Sequence, residues 1–146
     1  MFKRILIPTD GSPIARKAAR AGIELAKALG ARVVSCHIVE ELDPVFRVQA
    51  MVSQRIINEI KAAKRVNGKR YVDAVGKSAA RSGVAFTPVV SQGRRPHEGI
   101  LNVAKKHKCD GIFIATHGRG GFNKLMMGSV AQKVMLHASV PVLVYR

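Results

Sequence analysis

Five short, nearly unbroken apolar runs alternate along this chain with stretches whose apolar residues recur every three or four positions. Few folds accept that alternation. The runs are residues 3–9 (Ile5, Leu6 and Ile7 together), 33–39, 84–90, 111–115 and 140–145. A strand buried on both faces reads as a continuous apolar run, whereas a strand with one wet face alternates. Between the first two runs, Ser12 can cap a helix that Pro13 begins. Ile14, Ala18, Gly22, Leu25 and Leu29 follow at helical spacing, and Gly30 is a natural stop. A long helical region over 48–81 shows an apolar stripe through Val48, Val52, Ile56, Ile60, Ala63, Val72, Val75 and Ala79. Asn67-Gly68 predicts a kink or a split in it. Shorter helices are expected over 97–107, with Ile100, Leu101, Val103 and Ala104 inward, and over 129–137. The order β-α-β-α-β-α-β-α-β predicts an α/β fold, a three-layer, doubly wound, five-stranded parallel sheet with helices on both faces. Pro88 lacks a ladder donor, which places the third strand at an edge and fits the order 3-2-1-4-5. Residues 1–146 read as one domain, with no linker or repeat dividing them.

Composition bounds the partners. Lys and Arg number 25 against 9 Asp and Glu, a net charge of +16. Such a surface attracts phosphates, polyanions and acidic proteins. Residues 47–81 alone carry nine basic residues against Glu59 and Asp73, which reads as a solvated helical face or as a dock for an acidic or nucleic-acid partner. Nucleic acid is the less favoured partner: there is no Trp to stack on bases and the basic residues are scattered. No apolar run approaches the roughly 20 residues of a membrane span, and the first strand begins almost at Met1, so a cytoplasmic protein is expected. Cys36 and Cys109 lie far apart outside any C-x-x-C pair and read as small apolar fillers. His37 ends a strand and reads as structural. His97, His107 and His137 lack metal-ligand spacing.

In a doubly wound sheet the ligand crevice lies beyond the strand ends where the order reverses, here between strands one and four. Strand one ends in Thr9-Asp10-Gly11. Strand four ends in Ala115-Thr116-His117-Gly118, and nine residues later Gly128-Ser129 opens the last helix. Glycines admit an anion close to the backbone, and a helix N-terminus offers free N–H groups and partial positive charge. His117 in this loop suits ligand contact or a surface role equally, and Lys124 and Arg119 suit phosphate contact or solvent equally. There is no G-x-x-x-x-G-K-[ST] loop. No nucleophile–base pair or paired carboxylates stand out either, so the pattern favours binding over catalysis.

These residues resemble the universal stress protein family, in its nucleotide-binding branch, over essentially the whole chain. The opening Ile5-Leu6-Ile7-Pro8-Thr9-Asp10-Gly11-Ser12 and the closing Val140-Pro141-Val142-Leu143-Val144 are similar to the family's first and last strands. That branch carries G-x-x-G, nine residues, then G-[ST]; here Ala115 replaces the first glycine. Alanine suits the position if the backbone there is extended, and not if it is left-handed. The resemblance implies ATP as ligand, with magnesium on its phosphates. Gly118, Arg119, Gly128 and Ser129 would hold the phosphates through backbone N–H groups and the Ser129 hydroxyl, and Val130 would extend the cradle. Thr116 and His117 would line the site. Asp10 would lie by the adenosine and the metal, Pro8 and Thr9 would form the wall, and Ile38 would meet the adenine. It also implies a homodimer through the final strand, at Val142 and Val144, and a regulatory role with slow hydrolysis at most. The alternative is the branch that lacks nucleotide and would act through its basic surface.

Overall fold

A computed structural model of the protein describes residues 2–41, 45, 53–117 and 127–146. Its strands are β1 (Arg4–Pro8), β2 (Arg32–Glu40), β3 (Phe86–Gly93), β4 (Gly111–Ala115) and β5 (Val142–Tyr145). Its helices are α1 (Pro13–Leu29), α2 (Gln54–Arg81), α3 (Pro96–Lys106) and α4 (Ser129–His137). The sheet is parallel throughout, in the order β3-β2-β1-β4-β5. Pro88 sits on the edge strand β3, opposite Ser35 of β2. The expected fold and strand order are therefore present.

Alternation along each strand splits the core in two. Ile5, Ile7, Val33 and Phe113 face Ala18, Ala19, Ile23 and Ala26 of α1 and Val75 and Ala79 of α2. Leu6, Val34, Cys36, Ile112 and Ile114 face Ile100, Val103 and Ala104 of α3 and Ala131 and Val134 of α4. The sheet is thus covered on both sides, as its continuous apolar strands require. Helix α1 begins as expected: the Ser12 hydroxyl accepts from the Ala15 N–H at 3.2 Å, Pro13 follows, and Gly30 closes the helix in the left-handed region. Both cysteines are buried and free. Burial pushes the Cys109 thiol up to about 11 and raises that of Cys36 further still, so neither is a nucleophile at neutral pH.

Four expectations need correction. Helix α2 runs unbroken through Asn67-Gly68. Gly68 is buried against β2, where a Cβ would fall 2.5 Å from the His37 ring, so this glycine serves close packing and not a turn. The first half of the α2 stripe passes through Ile57, which is 4% exposed, while Ile56 is 48% exposed and Ala63 faces solvent. Val48 and Val52 lie outside the described residues. Leu29 is 42% exposed, because α1 turns its small residues and Ile23 to the sheet. Strands β3 and β5 begin two residues later than their apolar runs, and β3 extends to Gly93.

His97, at the start of α3, is buried and stacks on His137 of α4 at 6.2 Å between ring centroids. Burial first, then the charge of Lys133, lowers its pKa from 6.5; His137 and Arg95 act in the same sense and Glu98 opposes them. Below pH 6.5 the unfolded chain gains a proton here that the folded chain still refuses. Stability should therefore fall as pH drops through the window just under 6.5. His97→Gln should flatten the loss of melting temperature that the unmodified protein shows between about pH 7 and about pH 5.

Candidate functional site

The carboxyl ends of the strands open into one cleft of about 580 Å³. Pro8, Thr9 and Asp10 after β1, Ile38 near the end of β2, Thr116 and His117 after β4, and Gly128, Ser129 and Val130 at the start of α4 all line it. Residues as much as 122 positions apart in sequence, Pro8 and Val130, thus share one cavity, at the point of strand reversal where a doubly wound sheet takes its ligand. Gly118 and Arg119 lie outside the described residues, as does Lys124.

The β1 side is a backbone scaffold. The Thr9 N–H donates to the Cys36 carbonyl at 2.8 Å, continuing the ladder past β1. The Thr9 hydroxyl accepts from the Gly11 N–H at 3.2 Å, and Asp10 Oδ1 accepts from the Ser12 N–H at 2.9 Å. Gly11 has φ +74, a conformation that side chains disfavour. His37 Nδ1 donates to the Thr9 carbonyl at 2.9 Å. Tyr71 of α2 meets the His37 ring edge-on at 5.2 Å. Ile38 presses on α3 at Gly99, where a Cβ would fall 2.8 Å from its Cγ2.

The α4 side differs. The Gly128 N–H donates to the Thr116 carbonyl at 2.6 Å, drawing the start of α4 onto the end of β4. A Cβ at Gly128 would lie 2.9 Å from that same carbonyl oxygen. With φ −62, Gly128 is needed for close approach and not for an unusual backbone angle. Its N–H is already used, which corrects its expected part in a phosphate cradle: the amides left over are those of the first turn. Helix α1 spends a serine hydroxyl on its N-terminus, whereas α4 has no side-chain cap among the described residues. The N–H groups of Ser129 and Val130 meet no acceptor among the described residues, as the first turn of any helix leaves them. Ser129 itself is exposed, with its hydroxyl at the same helix end.

Ala115 is the last residue of β4, extended and paired with Tyr145 of β5. Its methyl belongs to the core on the α1 side, and the residue also borders the cleft. The position needs no glycine angle. Ala115→Gly should leave ligand affinity within about twofold and cost about 1 to 2 kcal/mol of stability, from lost burial and strand entropy. Parallel denaturant and ligand titrations would test this.

The sequence reading missed the α2 wall. Lys64, Asn67 and Tyr71 also line the cleft, facing His37 and Glu40. The available signal was their spacing of three and four, which continues the buried stripe from Ile57 through Gly68 to Val72 with polar residues in place of apolar ones. His37 supports the Thr9 carbonyl, as a structural histidine would, and lines the cleft as well.

The model of the universal stress protein family matches residues 1–146. The chain belongs to the universal stress protein family. Universal stress protein MJ0531 of Methanocaldococcus jannaschii is 33% identical over 146 residues, which cover all of this chain and 83% of that one. Among solved structures, protein MJ0577 of the same organism superposes with a TM-score of 0.79 at 26% identity, over 99% of this chain and 95% of the other. A universal stress protein from Archaeoglobus fulgidus in complex with dAMP shares the fold at a TM-score of 0.69 and 19% identity, over 99% of this chain and 98% of that one. No described helix of this universal stress protein is long and apolar enough to cross a membrane.

Proposed function

We propose that this universal stress protein binds an adenine nucleotide, ATP above all, in the cleft at the strand ends, and that it acts as a nucleotide-dependent regulatory protein with slow hydrolysis at most. The observation that carries the reading is the start of α4, which no side chain caps among the described residues. Its first-turn amides, which meet no acceptor among those residues, and the Ser129 hydroxyl open into the same cavity as Pro8, Thr9, Asp10 and Ile38. An anion there meets directed N–H groups and the positive end of the helix dipole. Ile38 and Pro8 supply apolar surface for a base at the other end of the cleft. The A. fulgidus relative, solved with dAMP, supports the class of ligand. Thr116, His117 and Val130 line the phosphate end, and Gly118 and Arg119 follow directly in sequence. Among the described residues, no three His, Cys, Asp or Glu gather into a metal site. Magnesium would therefore arrive on the phosphates, with Asp10 as a nearby carboxylate. Pairing of β5 with a second copy would cover that open sheet edge and give a homodimer.

A ligand that binds only the folded state raises stability, by about 2.7 kcal/mol at a hundredfold excess over Kd. ATP with magnesium should therefore raise the melting temperature by about 5 to 10 °C in a chain of this length. An unchanged melting temperature at millimolar ATP would favour the branch without nucleotide.

A further inference from the structure

At the opposite end of the sheet, where the strands begin, lies a second hollow of about 710 Å³. Lys3 and Arg4 before and at the start of β1, Lys27 and Arg32 on either side of the α1–β2 turn, and Lys108 before β4 contribute to its lining. Asp110 is the one carboxylate among the lining residues, and it is already engaged. Its oxygens accept from the Lys3 N–H at 2.7 Å and the Arg4 N–H at 2.9 Å. Burial pushes that carboxyl up, but these backbone bonds outweigh it and hold it below the usual range.

Cations at helix C-termini ordinarily answer the last carbonyls. Here the backbone has done so. Ala31 N–H reaches the Ala26 carbonyl, Val84 N–H that of Ala79 and Cys109 N–H that of Ala104. Arg4 takes the His107 carbonyl. The side chains of Lys3, Lys27, Arg32 and Lys108 make no hydrogen bond or ion pair with any described residue. All four are exposed at the rim of one concavity. Gly30 and Gly83 leave its floor open, with nothing within 4 Å of where their Cβ atoms would be. A concave surface of one sign concentrates the counter-charge that fills it.

We propose that this hollow is a second anion site, independent of the nucleotide cleft, and that it takes a short chain of linked phosphates. Its walls are small alanines and valine, with no aromatic ring to stack a base and no amide side chain to read one. It therefore recognises phosphate charge and not a nucleobase.

The test is a calorimetric titration of inorganic tripolyphosphate into the full chain and into Lys27→Gln/Arg32→Gln. Each is repeated on a Gly128→Ala background, so that phosphate held in the nucleotide cleft is counted separately. Loss of the two charges should weaken the tripolyphosphate site about tenfold or more. Lys27→Arg/Arg32→Lys should bind as the parent does, and among the proteins that keep Gly128 the ATP-dependent melting shift should be the same. Equal affinity in the Lys27→Gln/Arg32→Gln protein overturns the proposal, as does the absence of millimolar binding by the parent. Loss of duplex-DNA binding without loss of tripolyphosphate binding would make the surface a nucleic-acid contact and also overturn it. Failure of the nucleotide reading leaves this comparison intact.

Discussion

Gly11→Ala, in the turn that follows β1 beside the cleft, is expected to destabilise the protein by about 2 to 4 kcal/mol. Two costs combine. The backbone at Gly11 has φ +74, where an L side chain loses roughly 1 to 2 kcal/mol. The new methyl would also lie 2.3 Å from Tyr71 Cδ1, and overpacking of this kind costs typically about 1 to 3 kcal/mol. The ring has little room to retreat, because it abuts His37, which is tied to the Thr9 carbonyl. Denaturant unfolding of Gly11→Ala, Tyr71→Ala and the double variant would resolve the two parts. The double variant should be more stable than the sum of the singles predicts, since the clash is gone and only the backbone cost remains. A Gly11→Ala protein within about 0.5 kcal/mol of its parent, the scatter of ordinary surface changes, would contradict the close contact between the β1 turn and α2.

The second large effect is on binding. Gly128→Ala should weaken adenine nucleotide at least about tenfold, or about 1.4 kcal/mol. The added methyl would meet the Thr116 carbonyl oxygen at 2.9 Å and the His117 Cα at 3.4 Å. Both are backbone atoms at the end of β4, so the start of α4 must move away from the strand. That movement breaks the 2.6 Å bond from the Gly128 N–H and re-aims the amides of Ser129 and Val130. Ser129→Ala removes one hydroxyl and leaves the helix seated, so it should cost less, about 0.5 to 1.5 kcal/mol. Calorimetric titration with ATP ranks the two. The reverse ranking would mean that the hydroxyl, and not the helix end, carries the phosphate interaction.

The fold was legible in the sequence because its strands are buried on both faces, which writes each one as an apolar run. Ser12, Pro13 and Gly30 marked both ends of α1 for the same reason that they stabilise it. Glycine was harder to interpret. Gly68 looks like a helix breaker beside Asn67, yet it is the place where α2 comes down onto His37. A sequence shows that a side chain is missing but not which neighbour fills its space. Ala115 posed the opposite problem, since only the backbone shows that the position is extended and paired with Tyr145. The Lys64, Asn67 and Tyr71 wall was hidden because polar residues on a buried stripe resemble a solvated face until the helix is docked. The β1 and β4 ends of the cleft, by contrast, followed from strand order, because the topology brings those two strand ends together.

The central claim is that the cleft holds an adenine nucleotide. The most direct measurement is to purify the protein without adding nucleotide, denature it, and identify what is released by chromatography and mass spectrometry. The account predicts ATP or a related adenine nucleotide approaching one per chain. A protein that releases none, and whose melting temperature does not move when ATP and magnesium are added, would contradict it.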